Sequence, residues 1–452
     1  MEVRPVAPLL SLALAVALAG GCAQGRESAP VGPESAGPQR IILISLDTVR
    51  ADHLGVYGYD RPTSPTIDHF AKSAVVFEDV VAQASSTLPS HASIFTSQIP
   101  RHHGASFTGK SALAEGLPTL AGRLRDAGYR TVAFTGGGQM DRRFGLDRGF
   151  DEYHESQRNQ NFRHTVGLGL DWLRQHRQER VFLFLHTYQP HHPYTAVRDL
   201  PRFEMGYEGS LPPTISLDLL REINSGEREI DERDLQHIVN AYDADLRATD
   251  EGFRRLRRFL RRQRFFDEAL VVLTSDHGEE FGEHGTVGWH GHTVYEELLR
   301  VPLIIKLPGN AHAGTRVRSS VRSLDIAPTI LDYAGLPVPE TFQGVSLRAH
   351  ISGDAAAGDL PALSELDGVP DTVSYREGSW KLNEGRLFDL DADPLESRDV
   401  ASAETVRAQE LDRALEDWLD LRPPPSPEHV ELESSTLEQL RALGYLTRDE
   451  QP

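Results

Sequence analysis

Four short segments, far apart in the sequence, carry acidic, imidazole and hydroxyl side chains that could act together in a reaction. They are residues 45–53 (SLDTVRADH), 85–91 (SSTLPSH), 188–194 (YQPHHPY) and 275–292, which begins SDHGEE and ends HGH. Carboxylates and imidazoles bind divalent metal ions, and such an ion lowers the pKa of a bound hydroxyl and makes it nucleophilic. The four segments therefore offer acidic, imidazole and hydroxyl groups that could form one reactive site.

Two of these segments follow apolar runs that we expect to be buried strands. Residues 41–46 lead directly into Asp47, and residues 269–273 lead into Asp276 and His277. From residue 40 to about residue 340 such runs alternate with helical patterns, which predicts an α/β fold with a large, mostly parallel sheet flanked by helices. Because ligands of such sheets lie at the carboxyl ends of the strands, we expect both aspartates at one edge.

After about residue 340 short apolar segments are separated by turn residues, which predicts a small antiparallel sheet. The segments are residues 373–375, 380–382 and 386–390, and a last helical pattern covers residues 435–443 and ends at Gly444. We therefore expect a catalytic domain over residues 40–338 and a C-terminal subdomain with a terminal helix over residues 339–452.

The N-terminal residues are typical of an exported protein. An apolar run at residues 9–19 is too short to span a membrane and is followed by Gly20, Gly21 and Cys22, the only cysteine. This pattern predicts a lipoprotein-type signal peptide over residues 1–22 and a flexible tether over residues 23–39. The protein would then be a bacterial cell-envelope lipoprotein, held to the membrane by a lipid on Cys22. Ordinary secretion with an unused thiol is the alternative.

The charge balance limits the class of partner. A formal net charge of −20 argues against nucleic acid, whose phosphates require a surplus of lysine and arginine. A small anionic substrate is still compatible, because a local cationic pocket can lie in an acidic protein. The 19 histidines supply metal ligands and proton carriers.

In its motifs and their order, the chain from residue 40 onward resembles the sulfatase family of the alkaline phosphatase superfamily. Besides the four polar segments, the resemblance rests on His103-Gly104, residues 145–151 (GLDRGFD), Tyr295-Glu296, residues 300–305 (RVPLII), residues 325–329 (DIAPT) and residues 388–390 (FDL) with Asp393-Pro394. The resemblance implies the alkaline-phosphatase-like sandwich, with a small C-terminal antiparallel sheet.

The resemblance also implies a metal centre. Position by position, Asp47, Asp276 and His277 match the family's metal ligands, and Thr87 stands in the position of the nucleophile that shares the metal. Carboxylates suit a divalent cation, and a histidine among them favours Zn²⁺ or Mn²⁺, with Ca²⁺ as a further candidate.

The nucleophile segment departs from the family pattern. In true sulfatases the nucleophile segment resembles Cys/Ser-x-Pro-x-Arg, and its Cys or Ser is oxidised to formylglycine. The corresponding segment of this chain is Thr87-Leu88-Pro89-Ser90-His91. We therefore expect no formylglycine, and we expect Thr87 just before a helix over residues 89–96, facing its N–H groups. A threonine sulfate ester cannot collapse to an aldehyde, but a phosphothreonine can be displaced by water.

This difference favours phosphate or phosphonate esters as substrates. In this respect the chain is similar to the phosphonate monoester hydrolases and phosphoethanolamine transferases of the superfamily, so transfer of the group to another alcohol is a variant of the same hypothesis. Two alternatives stay open: a sulfuric ester hydrolase of the arylsulfatase kind, and an inactive lipoprotein that binds anionic glycans. The substrate would be a small molecule or a glycan or lipid ester.

Five further residues are candidates for catalysis or substrate binding. His191, from the family's Pro-His-x-Pro motif, is expected to contact the substrate and to assist catalysis. His290 is expected to act as the acid for the leaving group or as a second-metal ligand. Arg50 and His292 are candidate substrate contacts, because a cationic side chain can pair with phosphate oxygens. His91 replaces the missing arginine and is a candidate neighbour of the metal or the nucleophile.

Overall fold

The strand before the first candidate ligand is apolar on both faces. β1 (Arg40–Leu46) is buried throughout, and its side chains alternate between two cores. Ile41 and Leu43 pack into the core on one face of the sheet. Ile42 and Ile44 pack into the core on the other. A strand covered on both sides gives a continuous apolar run, which is why residues 41–46 predict it.

The computed structural model describes residues 37–156, 161–204, 206–420 and 428–446. The predicted signal peptide, Cys22 and nearly all of the predicted tether lie outside the described residues. The strands are β1, β2 (Val75–Phe77), β3 (Val80–Val81), β4 (Ser111–Ala112), β5 (Arg130–Thr135), β6 (Glu152–Glu155), β7 (Val181–Thr187), β8 (Leu270–Thr274), β9 (Glu280–Phe281), β10 (Val287–Trp289), β11 (Leu303–Lys306), β12 (Arg316–Val317), β13 (Val321–Arg322), β14 (Ala362–Leu366), β15 (Val369–Glu377), β16 (Trp380–Asn383), β17 (Arg386–Asp389) and β18 (Glu428–His429).

The α-helices are α1 (Pro65–Ala71), α2 (Thr87–Thr96), α3 (Pro100–His103), α4 (Leu120–Asp126), α5 (Phe162–Gln175), α6 (Leu217–Asn224), α7 (Glu232–Arg262), α8 (Glu296–Leu299), α9 (Ile326–Tyr333), α10 (Arg348–Ser352), α11 (Thr405–Asp420) and α12 (Ser434–Ala442). Apolar residues of α2, α4 and α9 share the core of Ile41. Those of α1, α5 and α7 share the core of Ile42, so helices cover both faces of the sheet. No helix among the described residues is long and apolar enough to cross a membrane.

The large sheet has eight strands in the order β12-β2-β11-β8-β1-β7-β5-β6. The run from β8 to β6 is parallel, and β11 pairs antiparallel with both its neighbours. This arrangement confirms the predicted large, mostly parallel sheet flanked by helices. Its consequence is that β7, β1 and β8 end side by side, because Ser45 lies opposite both His186 and Thr274.

The small sheet is antiparallel in the order β14-β15-β16-β17, as predicted. Its apolar side packs on α11, and Ile99 and Leu324 of the larger part of the molecule belong to the same core. From Gly37 onward the chain forms one compact unit. The division into a catalytic domain over residues 40–338 and a C-terminal subdomain over residues 339–452 therefore stays a prediction.

Candidate metal centre and active site

The candidate metal ligands follow directly on adjacent parallel strands. Asp47 comes straight after β1, and Asp276 and His277 come after β8 with one residue between. All three side chains are fully buried, and each offers a ligand atom within 4.8 Å of the other two. The structure thus brings together the three residues that the sequence proposed as ligands.

Thr87 lies beside these three residues. It is the first residue of helix α2, which is buried throughout. Its Oγ1 lies 3.2 Å from Asp47 Oδ2 and 3.5 Å from His277 Nε2. The helix begins two residues earlier than we predicted. Ser86 takes the extended conformation of an N-cap, so Pro89 falls within the first turn, where its missing N–H costs nothing.

Each of the two aspartates carries one carboxylate oxygen that no group among the described residues satisfies by a hydrogen bond. Asp47 Oδ1 and Asp276 Oδ2 are buried without a hydrogen-bond partner. Burial and the charge of Asp276 raise the pKa of Asp47 well above its ordinary value. Burial also opposes ionisation of Asp276, but the neighbouring imidazoles of His277, His91 and His186 outweigh it and lower the pKa of that carboxyl. Without a cation, burial and the charge of Asp276 therefore disfavour ionisation of Asp47.

These features fit a divalent metal ion. A cation between the two aspartates would satisfy both orphan oxygens, and carboxylate, imidazole and hydroxyl groups together form a donor set for Zn²⁺ or Mn²⁺. His277 Nδ1 lies 2.9 Å from the backbone oxygen of Gly278 and donates to it. This contact leaves the Nε2 lone pair free to face the centre, which is how metal-binding histidines are usually oriented.

Two further histidines, His91 and His186, are buried next to the candidate ligands. His91 Nδ1 is 2.8 Å from the backbone oxygen of Thr87, and its Nε2 is 2.9 Å from Ser45 Oγ. His186 Nε2 is 3.2 Å from Asp47 Oδ2. Burial lowers the pKa of both imidazoles, which favours their neutral forms. His91, His186 and Asp276 are also close enough to hold an ion.

His191 and His290 lie side by side near Thr87, and the Nε2 atom of each faces the Tyr445 hydroxyl, which contacts Thr87 Oγ1. His191 Nδ1 is 2.5 Å from the backbone oxygen of His192. His290 Nδ1 is 2.7 Å from Glu279 Oε1. Burial lowers the pKa of His290 to about 4 although Glu279 raises it, and burial also lowers the pKa of His191 well below its ordinary value. These shifts favour the neutral forms of both, and with His192 they form a third group able to hold an ion.

Three residues of the site were not foreseen from the sequence: His186, Glu279 and Tyr445. His186 stands near the end of an apolar strand, as Asp47 follows one, and that position was a usable signal. Glu279 belongs to the Asp-His-Gly-Glu run, where its contact with His290 is invisible in one dimension. Tyr445 follows the last helix directly after Gly444, and its hydroxyl lies 3.1 Å from Thr87 Oγ1. Nothing in the local sequence marks it.

Two predicted substrate contacts are engaged elsewhere. Arg50 pairs with Asp52 at 2.8 Å and with Glu283 at 2.5 Å. His292 Nε2 lies 2.9 Å from Glu280 Oε2. Within the described residues neither side chain is hydrogen-bonded to Thr87 or to the ligand aspartates, so the proposed substrate contacts of Arg50 and His292 stay predictions.

Two cavities adjoin the site. A cavity of about 210 Å³ is lined by Ser86, Phe107, Trp289, His290 and Tyr445, among others, so it opens beside the nucleophile segment. A second cavity of about 470 Å³ is lined by residues that include Gly136, Tyr188, Asp245, Gln439 and Leu443. The end of α12 and the residues after it separate the two.

Comparison with known proteins identifies sulfatases both by a family model and by a sequence relative. The family model described as "Sulfatase" matches residues 39–336. The chain is 31% identical over 232 residues to choline-sulfatase of Rhizobium meliloti (strain 1021), a match that covers 47% of this chain and 44% of the relative. It therefore spans less than half of the length of that relative.

Two solved structures share the fold. One is BT4656 in complex with its substrate D-glucosamine-2-N,6-O-disulfate, with a TM-score of 0.72, 20% identity and coverage of 86% of this chain and 99% of that chain. The other is the phosphonate monoester hydrolase of Agrobacterium radiobacter, with a TM-score of 0.69, 20% identity and coverage of 88% and 98%. At this identity the likeness concerns the fold alone.

Proposed function

The chain belongs to the sulfatase family, and from that premise we propose that it is a metal-dependent hydrolase of phosphate or phosphonate esters with Thr87 as nucleophile. The observation that carries the proposal is the position of the Thr87 hydroxyl, 3.2 Å from Asp47 Oδ2 beside two buried, unsatisfied carboxylate oxygens. A nucleophile at the metal centre that cannot become formylglycine fits phosphoryl chemistry better than sulfuryl chemistry.

Asp47, Thr87, Asp276 and His277 would hold the divalent ion, with Zn²⁺ or Mn²⁺ favoured. When bound, the ion supplies positive charge that lowers the pKa of the threonine hydroxyl and neutralises charge on the transferred group. The remaining chemistry belongs to side chains of this protein.

In the first half of the reaction the deprotonated Thr87 Oγ1 attacks phosphorus. The Oγ1–P bond forms, the P–O bond to the leaving group breaks, and the leaving oxygen takes a proton from His290 Nε2. Glu279, hydrogen-bonded to His290 Nδ1 at 2.7 Å, stabilises the protonated imidazole. Burial lowers the pKa of His290, and the negative charge of a bound substrate would favour its protonated form.

In the second half a water molecule displaces Thr87. The water oxygen bonds to phosphorus, the Oγ1–P bond breaks, and His290 recovers the proton from the water, as microscopic reversibility requires. Thr87 returns as the deprotonated nucleophile. If an alcohol enters instead of water, the same residues would perform a transfer reaction.

The test is turnover of an aryl phosphonate monoester or aryl phosphodiester by protein supplied with Mn²⁺ or Zn²⁺. Thr87→Ala should lower kcat/KM by about a thousandfold or more, since a nucleophile has been removed. Thr96→Ala, at the other end of α2, is the matched control and should retain activity. Equal turnover by wild type and Thr87→Ala would contradict the proposal.

Hydrolysis of sulfuric esters is the second candidate, and the similarity to choline-sulfatase favours it. The two functions separate in a competition between an aryl sulfate and the matching aryl phosphate. Faster sulfate release would support the second candidate. A covalent phosphate found on Thr87 by mass spectrometry after acid quenching would support the first.

We further propose that the protein is exported and anchored by a lipid on Cys22, on the N-terminal sequence pattern alone. Cys22→Ser should move the protein from the membrane fraction to the soluble fraction. An unchanged distribution would contradict the anchor.

A further inference from the structure

Three polar groups of the candidate active site converge on one oxygen atom of the protein itself. The Tyr445 hydroxyl lies 3.1 Å from Thr87 Oγ1, 2.9 Å from His191 Nε2 and 3.3 Å from His290 Nε2. Both imidazoles use Nδ1 elsewhere, so each presents a lone pair at Nε2. The phenol can therefore donate to one imidazole and accept from the threonine hydroxyl.

The segment that delivers this hydroxyl, residues 434–446, is named the C-terminal strap. Two side chains of α12 attach it: Gln439 Oε1 accepts from the backbone N–H of Gly138 at 3.1 Å, and Thr436 Oγ1 donates to Asp141 Oδ2 at 2.6 Å. The backbone oxygen of Leu443 lies 3.0 Å from His192 Nε2. Leu437, Leu440 and Leu443 are buried as well, so the strap is held by side-chain packing and by hydrogen bonds and is not part of a sheet.

Gly444 makes the turn that aims Tyr445 at the nucleophile. Its φ of +88° lies in the left-handed region, and a Cβ at this position would come 2.7 Å from Leu217 Cδ1 and 2.9 Å from His192 Nε2. Only glycine meets both requirements without displacing a neighbour. The backbone at the end of α12 is therefore shaped to bring Tyr445 to Thr87.

The position of the hydroxyl conflicts with the substrate that the proposed function requires. Phosphorus that bonds to Thr87 Oγ1 carries oxygens within hydrogen-bonding reach of Oγ1, and His191 and His290 are the polar groups that face them. The Tyr445 hydroxyl lies within hydrogen-bonding reach of Thr87 Oγ1, His191 Nε2 and His290 Nε2, so it occupies the place of one of those oxygens. Two oxygens cannot share that volume.

We infer that Tyr445 belongs to the catalytic centre and that its hydroxyl occupies the position of a substrate oxygen in the substrate-free protein. The substrate displaces it, and the C-terminal strap moves away from Thr87 when this happens. This inference rests on the proposed function for the identity of the incoming group, a tetrahedral oxyanion. It makes the Tyr445 hydroxyl a competitor of substrate and product at the nucleophile.

The test compares Tyr445→Phe with wild type in the binding of inorganic phosphate to Mn²⁺-loaded protein by isothermal titration calorimetry. The variant keeps the ring and removes only the competing hydroxyl, so it should bind phosphate about five- to tenfold more tightly. Tyr333→Phe, which removes a phenolic hydroxyl on α9, is the matched control and should bind as wild type does. Weaker or equal binding by Tyr445→Phe, or no phosphate binding by either protein, would overturn the inference.

A second measurement needs no variant. Amide hydrogen exchange over residues 434–446 in Mn²⁺-loaded wild type should rise when inorganic phosphate is added, because the strap leaves its contacts. Unchanged or slower exchange would overturn the inference. Neither measurement depends on turnover: phosphate that displaces the strap in a protein with no esterase activity would contradict only the proposed function, and ester turnover with an immobile strap would contradict only this inference.

Discussion

Two buried groups of carboxylates in this molecule are built on opposite principles. The metal centre holds Asp47 and Asp276, and the basic side chains beside them are, among the described residues, all imidazoles. The other group, here called the junction network, joins the small sheet to the rest of the molecule. It consists of Asp79, Glu296, Arg376, Lys381 and Glu396.

In the junction network the chain supplies the cations. Lys381 Nζ lies 3.0 Å from Glu296 Oε1 and 3.1 Å from Glu396 Oε2, and Arg376 Nη1 lies 2.8 Å from Glu296 Oε2. Burial opposes ionisation of Glu296, but Lys381 and Arg376 outweigh it and lower its pKa to about 2. At the metal centre, where no lysine or arginine of the described residues lies beside the pair, the pKa of Asp47 rises and that of Asp276 falls under the influence of neighbouring imidazoles.

The difference separates an architectural cluster from a functional one. Buried carboxylates with lysine and arginine beside them have cations supplied by the chain itself and hold two parts of the protein together. Buried carboxylates with orphan oxygens and only imidazoles beside them are complete when a cation arrives from solution. Four changes would break or sharpen this comparison.

The largest effect is expected from Asp276→Asn. Loss of a ligand charge at the metal centre should lower kcat/KM by about a thousandfold or more, because the bound ion contributes several kcal/mol to the transition state. Lys381→Met should leave kcat/KM per folded molecule within a few fold. Steady-state kinetics at saturating Mn²⁺ check both, and a similar loss in the two variants would remove the distinction.

The next effect concerns stability. Lys381→Met leaves Glu296 and Glu396 buried without their shared cation, and should lower the free energy of unfolding by about 3 to 5 kcal/mol. Lys72→Met, at an exposed position, should change it by about 0.5 kcal/mol or less. Urea unfolding at fixed metal concentration measures both values. A neutral Lys381→Met would mean that the network is dispensable.

Metal addition should act on one cluster alone. At a free Mn²⁺ concentration about 100 times its Kd, wild type should gain about 2.7 kcal/mol in unfolding free energy. Lys381→Met should gain the same amount, and Asp276→Asn should gain almost nothing. Stabilisation of Asp276→Asn equal to that of wild type would place the ion elsewhere.

The smallest effect is a stabilisation. In metal-free protein the pKa of Asp47 is raised by burial and by Asp276, so its ionisation opposes folding and the cost grows as pH rises above the unfolded-state value of about 4. Asp47→Asn removes this cost and should raise the unfolding free energy at pH 7. The gain should shrink as pH falls toward 4.

Denaturant titrations in the presence of a chelator, at pH 5 and pH 7, measure this gain. A destabilised Asp47→Asn, or a gain that grows on acidification, would contradict the proposed repulsion between the two aspartates.

The sequence predicted the sheet because the sheet depends on local patterns, whereas the ligand assignment came from the family resemblance. An apolar run that ends at Asp47, and another that leads into Asp276-His277, are sufficient to place these three side chains at the carboxyl edge of a parallel sheet. The small antiparallel sheet was predicted for the same reason, from short runs between turns.

What could not be predicted depends on contacts across long separations in the chain. Tyr445 reaches Thr87 across 358 positions, and its place at the nucleophile depends on where α12 docks. Arg50 could pair with a substrate or with Glu283, and only the folded arrangement shows the second. Side chains of one type look alike in sequence until their partners are known.

The account depends most directly on one cation shared by four side chains. Anomalous diffraction at the zinc edge, from crystals grown with Zn²⁺, tests this claim. We expect a single strong peak with oxygen or nitrogen atoms of Asp47, Asp276, His277 and Thr87 at about 2.0–2.2 Å. A peak that lies away from the two aspartates, or one that leaves Thr87 Oγ1 outside bonding distance, would contradict the account.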